Sequence, residues 1–105
     1  MRKVNVAATQ MTCSENSSDN IDKAKNLIKQ SVDGGAQIVL IQELFESVYF
    51  CCLNDPKRFE LAKPFEKNPL LMEMSDLAKE LSVVLPISFF EQDNNTYYNS
   101  LAIID

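Results

Sequence analysis

Between Val4 and Ile41 the sequence changes its hydrophobic period twice, and those changes leave few topologies open. Val4-Asn5-Val6-Ala7-Ala8-Thr9 alternates apolar with mixed positions, the two-residue period of a strand. Residues 14–20 are polar turn sequence, with Ser17, Ser18 and Asp19 among the possible helix N-caps. Ile21, Ala24, Leu27, Ile28 and Val32 then recur at spacings of three and four, which places them on one face of a helix. Gly34-Gly35 stops that helix, since glycine accepts the left-handed conformation of a C-terminal cap without a Cβ clash. Gln37-Ile38-Val39-Leu40-Ile41 follows as a short, nearly continuous apolar strand, the pattern expected when both faces are covered. A β-α-β unit with such short connections is right-handed, and its two strands lie parallel.

The rest of the chain extends this unit. Residues 42–68 lose periodicity and gain aromatics and prolines (Phe45, Tyr49, Phe50, Pro56, Phe59, Pro64, Phe65), a long irregular stretch of the kind that carries function in small domains. Leu70, Leu71, Met74, Leu77, Ala78 and Leu81 make a second helical stripe. Residues 83–90 are β-rich, although Pro86 removes one backbone donor and suggests a bulge or an edge. Asp93-Asn94-Asn95-Thr96 is turn chemistry, and residues 97–104 complete a β-hairpin. The order is β-α-β-loop-α-β-β, an α/β chain with one domain over residues 1–105 and no repeats or linker. The last strand runs to Asp105; a native domain can end that way, and a domain cut short would look the same.

Composition removes whole classes of function. Fifteen acidic against ten basic side chains give a net charge of −5, and no basic cluster offers a groove for nucleic acid. There is no histidine, so Ser-His and Cys-His pairs and His-ligated zinc are excluded within this chain. The longest apolar runs are too short to span a bilayer, so no membrane partner is expected. Met1-Arg2-Lys3 leads directly into strand-like sequence, which argues against a secretory signal. Cys13, Cys51 and Cys52 are odd in number, and the adjacent pair does not suit disulfide geometry, so a reducing, cytoplasmic setting is expected. No metal motif appears, and Ala7-Ala8-Thr9-Gln10-Met11 lacks the glycines that let backbone approach a phosphate.

The sharpest chemical feature is Gln42-Glu43-Leu44-Phe45, directly after the second strand. The carboxyl ends of strands are where active sites collect in α/β sheets. A partly desolvated carboxylate there becomes basic enough for proton transfer near neutrality. An ordinary acidic loop residue or helix cap is the plainer alternative for Glu43. Cys51 and Cys52, with Lys57 and Lys63 in the same loop, could make a thiol site, but no electropositive helix N-terminus or histidine is evident to lower a thiol pKa, and simple packing is favoured. Glu46 could brace its neighbouring loop, and solvation is the simpler expectation. Glu91 reads as solvated, Asn94-Asn95 as a turn, and Met72, Met74 and Leu77 as helix packing.

Taken together, the run Val4-Asn5-Val6-Ala7-Ala8-Thr9-Gln10-Met11, the stretch from Gly34-Gly35 through Gln42-Glu43-Leu44-Phe45, and Tyr49-Phe50-Cys51 resemble the start of the nitrilase superfamily of carbon–nitrogen hydrolases. Val83-Val84-Leu85-Pro86-Ile87-Ser88-Phe89-Phe90-Glu91 and Tyr98-Asn99-Ser100-Leu101-Ala102-Ile103-Ile104-Asp105 continue the likeness in order. The resemblance implies the N-terminal part of a nitrilase-type α-β-β-α sandwich, with residues 1–105 an incomplete carbon–nitrogen hydrolase domain. It implies a Glu-Lys-Cys triad in which Glu43 is the general base, the lysine and nucleophilic cysteine lying beyond the point where this chain stops. It further implies Tyr49 and Phe50 near the substrate pocket, a small-molecule amide or carbamoyl substrate, no cofactor, and a homo-oligomer. Tyr49 and Phe50 serve equally well as hydrophobic anchors for the loop. Two other readings stand beside this one: a non-catalytic short product that pairs with a full-length homologue, and a small βαβ-type binding domain.

Overall fold

The computed structural model describes residues 2–50 and 56–105. The chain opens on β1 (Val6–Ala8), continues through α1 (Ser17–Asp33) to β2 (Ile38–Leu40), and later passes two 3-10 turns, Pro56–Leu61 and Phe65–Lys67. It then forms α2 (Pro69–Leu81) and the strands β3 (Leu85–Asp93) and β4 (Thr96–Ile104). This is the β-α-β-loop-α-β-β order expected from the periodicity.

Helix ends follow from local chemistry, with one correction. The N-cap of α1 is Asn16, not Ser17, Ser18 or Asp19. Its backbone is extended and its side-chain oxygen accepts the Asp19 N–H at 3.1 Å, satisfying a donor that has no partner inside the helix. At the other end the Gly34 N–H reaches the Gln30 carbonyl, and Gly35, at φ +100°, turns the chain out. Asn68 caps α2 by accepting the Leu70 N–H at 3.0 Å, with Pro69 in the first turn, where its missing N–H costs nothing. Ser82 ends α2 in the left-handed region at φ +53°.

Strand pairing sets the layers. β1 and β2 are parallel, with Val6 opposite Ile38 and Ala8 opposite Leu40. β3 and β4 are antiparallel without a slip from Leu85–Ile104 to Asp93–Thr96, and Asn94 takes φ +55° in the connecting turn. One parallel bridge, Ile38 to Val84, joins the pairs through Val39 N–H to the Val84 carbonyl and Val84 N–H to the Gln37 carbonyl, both 3.0 Å. The strands therefore lie side by side as β1-β2-β3-β4. The bulge suggested by Pro86 is absent. Strand alternation turns its nitrogen toward β2, one step past Val84, so the proline ends the parallel ladder and leaves the hairpin intact.

Both helices pack on one face of this sheet. Val39, Leu85, Ile87 and Phe89 point into them and meet Ala24, Ile28, Leu70, Met74, Leu77 and Ala78, with Phe45 fully buried at the end of the cluster. Met72 departs from its expected packing role: it lies on the outer side of α2, 64% exposed. The opposite face carries Val6 and Leu40, with Leu101 and Ile103, all exposed. The apolar strand at residues 37–41 is thus covered on one face only, because among the described residues no second layer lies against the other.

Candidate active site

The turn following β2 is tied down at every residue. Gln42 accepts the Met11 N–H at 2.7 Å and donates from Nε2 to Cys13 Sγ at 3.3 Å. The Leu44 N–H donates to Ser88 Oγ on β3 at 3.0 Å. The Phe45 carbonyl accepts from Cys13 Sγ at 3.3 Å, and the Glu46 carbonyl accepts from Asn20 Nδ2 at 3.1 Å. Burial pushes the Cys13 thiol up from its ordinary value, against the opposing charge of Lys23, so it stays a protonated donor. Leu44 sits at φ +50°, a conformation that L residues adopt at a cost, and these surrounding bonds hold it there.

Glu43 stands at the start of this turn. One carboxylate oxygen, Oε1, accepts from Asn99 Nδ2 on β4, and the other has no protein hydrogen-bond partner among the described residues. Asn99 Oδ1 in turn takes the Ser88 hydroxyl at 3.5 Å. The carboxylate faces an open cleft of about 390 Å³, walled by Thr9, Leu40 and Gln42 on one side and Ser88, Asn99 and Leu101 on the other. Glu43 is exposed, so the desolvation expected from the sequence is absent. The reason is architectural: the cleft opens onto the uncovered face of the sheet, where Leu40 and Leu101 are themselves exposed.

A second, smaller hollow of about 130 Å³ shares Ser88 with the cleft and is lined by Ser17, Glu46, Lys63, Phe50 and Phe90. Here Glu46 is not merely solvated. Its Oε1 accepts from Lys63 Nζ at 3.0 Å and from Ser17 Oγ at 3.3 Å, so it braces loop, turn and α1 together. Lys63 is itself clamped to β3, donating its N–H to the Phe90 carbonyl and accepting the Gln92 N–H. Phe50 is buried with its ring 4.9 Å from that of Phe90, and Phe59 and Tyr97 extend the aromatic cluster. It therefore borders this hollow and not the Glu43 cleft. Tyr49 is exposed and outside the cleft lining. Glu91 accepts from Ser100 Oγ at 2.7 Å instead of standing free in solvent. Cys51 and Cys52 lie outside the described residues, and Lys57 is on the rim of a further hollow with Glu15 and Arg58.

The structure thus brings Ser88 and Asn99 to Glu43, neither of which sequence reasoning singled out. A signal was present for Ser88, a lone hydroxyl between Ile87 and Phe89 in a strand otherwise apolar at that point. Among the described residues no group of three or more His, Cys, Asp or Glu side chains is placed to hold a metal. No helix there is long and apolar enough to cross a membrane.

A parallel β-α-β unit, a carboxylate fixed at the end of its second strand, and a hairpin supplying that carboxylate's partner define a class. The chain belongs to the carbon–nitrogen hydrolase family, whose profile matches residues 5–105. It is 52% identical over 103 residues to an N-carbamoylputrescine amidase of Oryza sativa subsp. japonica, an alignment covering 98% of this chain and 34% of that protein. Its fold superposes on a carbon-nitrogen hydrolase from Helicobacter pylori G27 with a TM-score of 0.80 at 27% identity, over 95% of this chain and 35% of that one. Saccharomyces cerevisiae Nit3, a member of branch 10 of the nitrilase superfamily, gives the same TM-score at 21% identity, over 97% and 40%. The chain spans about a third of the length of the curated relatives it matches. Its helix layer and sheet layer are accordingly a partial α-β-β-α sandwich.

Proposed function

We propose that residues 1–105 are the amino-terminal part of an amidase that hydrolyses a linear carbamoyl amine, N-carbamoylputrescine, to putrescine, ammonia and carbon dioxide, with Glu43 as general base. The observation that carries the proposal is the Glu43 carboxylate itself. It stands at the carboxyl end of β2 on a turn tethered at every residue, with one oxygen held by Asn99 and the other unclaimed by the described protein. Strain maintained at such expense is characteristic of functional turns. The similarity to plant N-carbamoylputrescine amidases supports the choice of substrate. The enzyme would be a cytoplasmic homo-oligomer that uses no cofactor.

In this reading the Glu-Lys-Cys triad works as follows. Glu43 takes the thiol proton as the thiolate attacks the carbamoyl carbon, and the lysine stabilises the oxyanion that forms. The proton passes to the departing nitrogen, which leaves as ammonia. Glu43 then activates a water that cleaves the S-carbamoyl cysteine (a thiocarbamate), restoring the thiol and releasing a carbamic acid that decomposes to amine and carbon dioxide. The lysine and cysteine belong to sequence beyond residue 105, so the 105-residue chain by itself holds a base with nothing to activate.

The test begins with the reading frame beyond codon 105, followed by an ammonia-release assay of the protein it encodes. The longer protein is expected to turn over N-carbamoylputrescine, with Glu43→Gln lowering kcat by about 10²- to 10⁴-fold, the usual contribution of a general base. The 105-residue chain is expected to release no ammonia. Turnover by the short chain, abolished by Cys51→Ser or Cys52→Ser, would replace this proposal with a thiol site inside the loop. A frame that stops after Asp105 would favour the non-catalytic product.

A further inference from the structure

The neighbours Glu43 and Leu44 and two residues distant from them in sequence, Ser88 and Asn99, close a hydrogen-bonded ring that includes the carboxylate. The ring starts at the Leu44 N–H, which donates to Ser88 Oγ at 3.0 Å. The Ser88 hydroxyl, accepting that bond on one of its two lone pairs, donates its own hydrogen to Asn99 Oδ1 at 3.5 Å. Asn99 then donates from Nδ2 to Glu43 Oε1, one residue before the starting point. Every link has a fixed direction, because a backbone N–H only donates and a carboxylate only accepts. The amide of Asn99 consequently has one orientation, oxygen toward the hydroxyl and nitrogen toward the carboxylate. Such chains of hydrogen bonds also polarise one another.

We infer that Asn99 is a positioning residue for Glu43, with Ser88 setting its orientation, so that one carboxylate oxygen is committed to the protein and the other is aimed at the reacting proton. This rests on the proposal that Glu43 is the base. An exposed glutamate samples several rotamers, and burial does not restrain this one. The restraint comes instead from the hairpin. Ser88 and Asn99 occupy the same face of β3 and β4, on the cross-strand pairs Ser88–Leu101 and Phe90–Asn99, with Phe89–Ser100 between them. The uninterrupted register of those strands therefore determines where the carboxylate points. Asn99 contacts no reacting atom in this scheme, and its contribution passes through Glu43.

The experiment uses the longer protein encoded by the frame that contains residues 1–105. Asn99→Ala, and the isosteric Asn99→Asp in case the truncation impairs folding, are assayed for kcat and KM beside melting temperature. Each is expected to lower kcat by about 10²-fold, the scale of a misplaced catalytic group, with KM within about threefold of the parent. The decisive arm repeats Asn99→Ala in a Glu43→Asp background, where the carboxylate is one methylene short of Asn99. There the substitution is expected to cost less than about threefold, since the coupled partner has been withdrawn. Equal losses in both backgrounds, or a kcat loss that merely follows melting temperature, would overturn the positioning role and leave Glu43 as base intact. Full activity of Glu43→Gln, or a frame that ends at Asp105, would overturn the base assignment and this inference with it.

Discussion

Asn20 shows how much of this molecule rests on single polar side chains. It is fully buried on α1, yet it donates to the carbonyls of Ser14 at 2.7 Å and Glu46 at 3.1 Å and accepts the Ser14 N–H at 2.9 Å. Removing the side chain leaves those part-buried backbone groups without their partner, and each one that water does not reach costs on the order of 1–3 kcal/mol. Asn20→Ala is therefore expected to destabilise the protein by about 2–4 kcal/mol. A urea titration reads this as a lower midpoint, and a loss under about 1 kcal/mol would mean that water takes over these bonds. The placement of Glu43 in the turn after β2 was legible from the sequence because its signal is local, an acidic residue just past a short apolar strand. Its supporting residues were not. Ser88 and Asn99 stand 44 and 56 residues from their partners in the turn, and no periodicity encodes a pairing over that range. Glu46 departs from the simpler expectation of solvation for the same reason, since Lys63 reaches it from a loop without pattern.

Elements were more legible than their ends. Both helices and the hairpin occupy the stretches their periods announce, because a stripe at three- and four-residue spacing buries only as a helix and a two-residue alternation only as a strand. The ends are decided by single dihedral angles. Asn16 displaced three plausible caps because its extended backbone aims its oxygen at the Asp19 N–H. Pro86 left the hairpin register unbroken because its nitrogen faces the β2 side. At the C-terminus of α2, Ser82 adopts φ +53° while exposed, and its backbone N–H bonds to the Ala78 carbonyl. The left-handed conformation costs a non-glycine residue about 1–2 kcal/mol, partly offset by the greater chain entropy that glycine loses on folding. Ser82→Gly is thus expected to stabilise the protein by about 0.5–1 kcal/mol, visible as a higher urea midpoint with an unchanged slope. A destabilisation would show that entropy outweighs the relieved strain.

At the scale of the whole molecule, one face of the sheet is finished and the other is not. The finished face buries Val39, Leu85, Ile87 and Phe89 under two helices. The other presents Val6 at 70%, Leu101 at 57% and Ile103 at 64% exposure, next to the cleft that holds Glu43. Contiguous apolar surface of this kind, bounded by strand edges at β1 and β4 whose outer backbone groups have no neighbouring strand among the described residues, drives association. The net charge of −5 opposes it, but screening confines that repulsion to roughly 8 Å at physiological ionic strength. The isolated chain is therefore expected to self-associate, sedimenting as species larger than the monomer and binding a hydrophobic dye. Leu101→Lys with Ile103→Lys places two charges on the open face at positions that bury little in the helix layer. The pair is expected to shift the sedimentation profile toward monomer and to lower dye binding, while the far-ultraviolet dichroism of the hairpin persists. A strictly monomeric parent chain with a sharp cooperative melt would mean that this face is stable in water. The open cleft would then be a finished feature of the 105-residue chain.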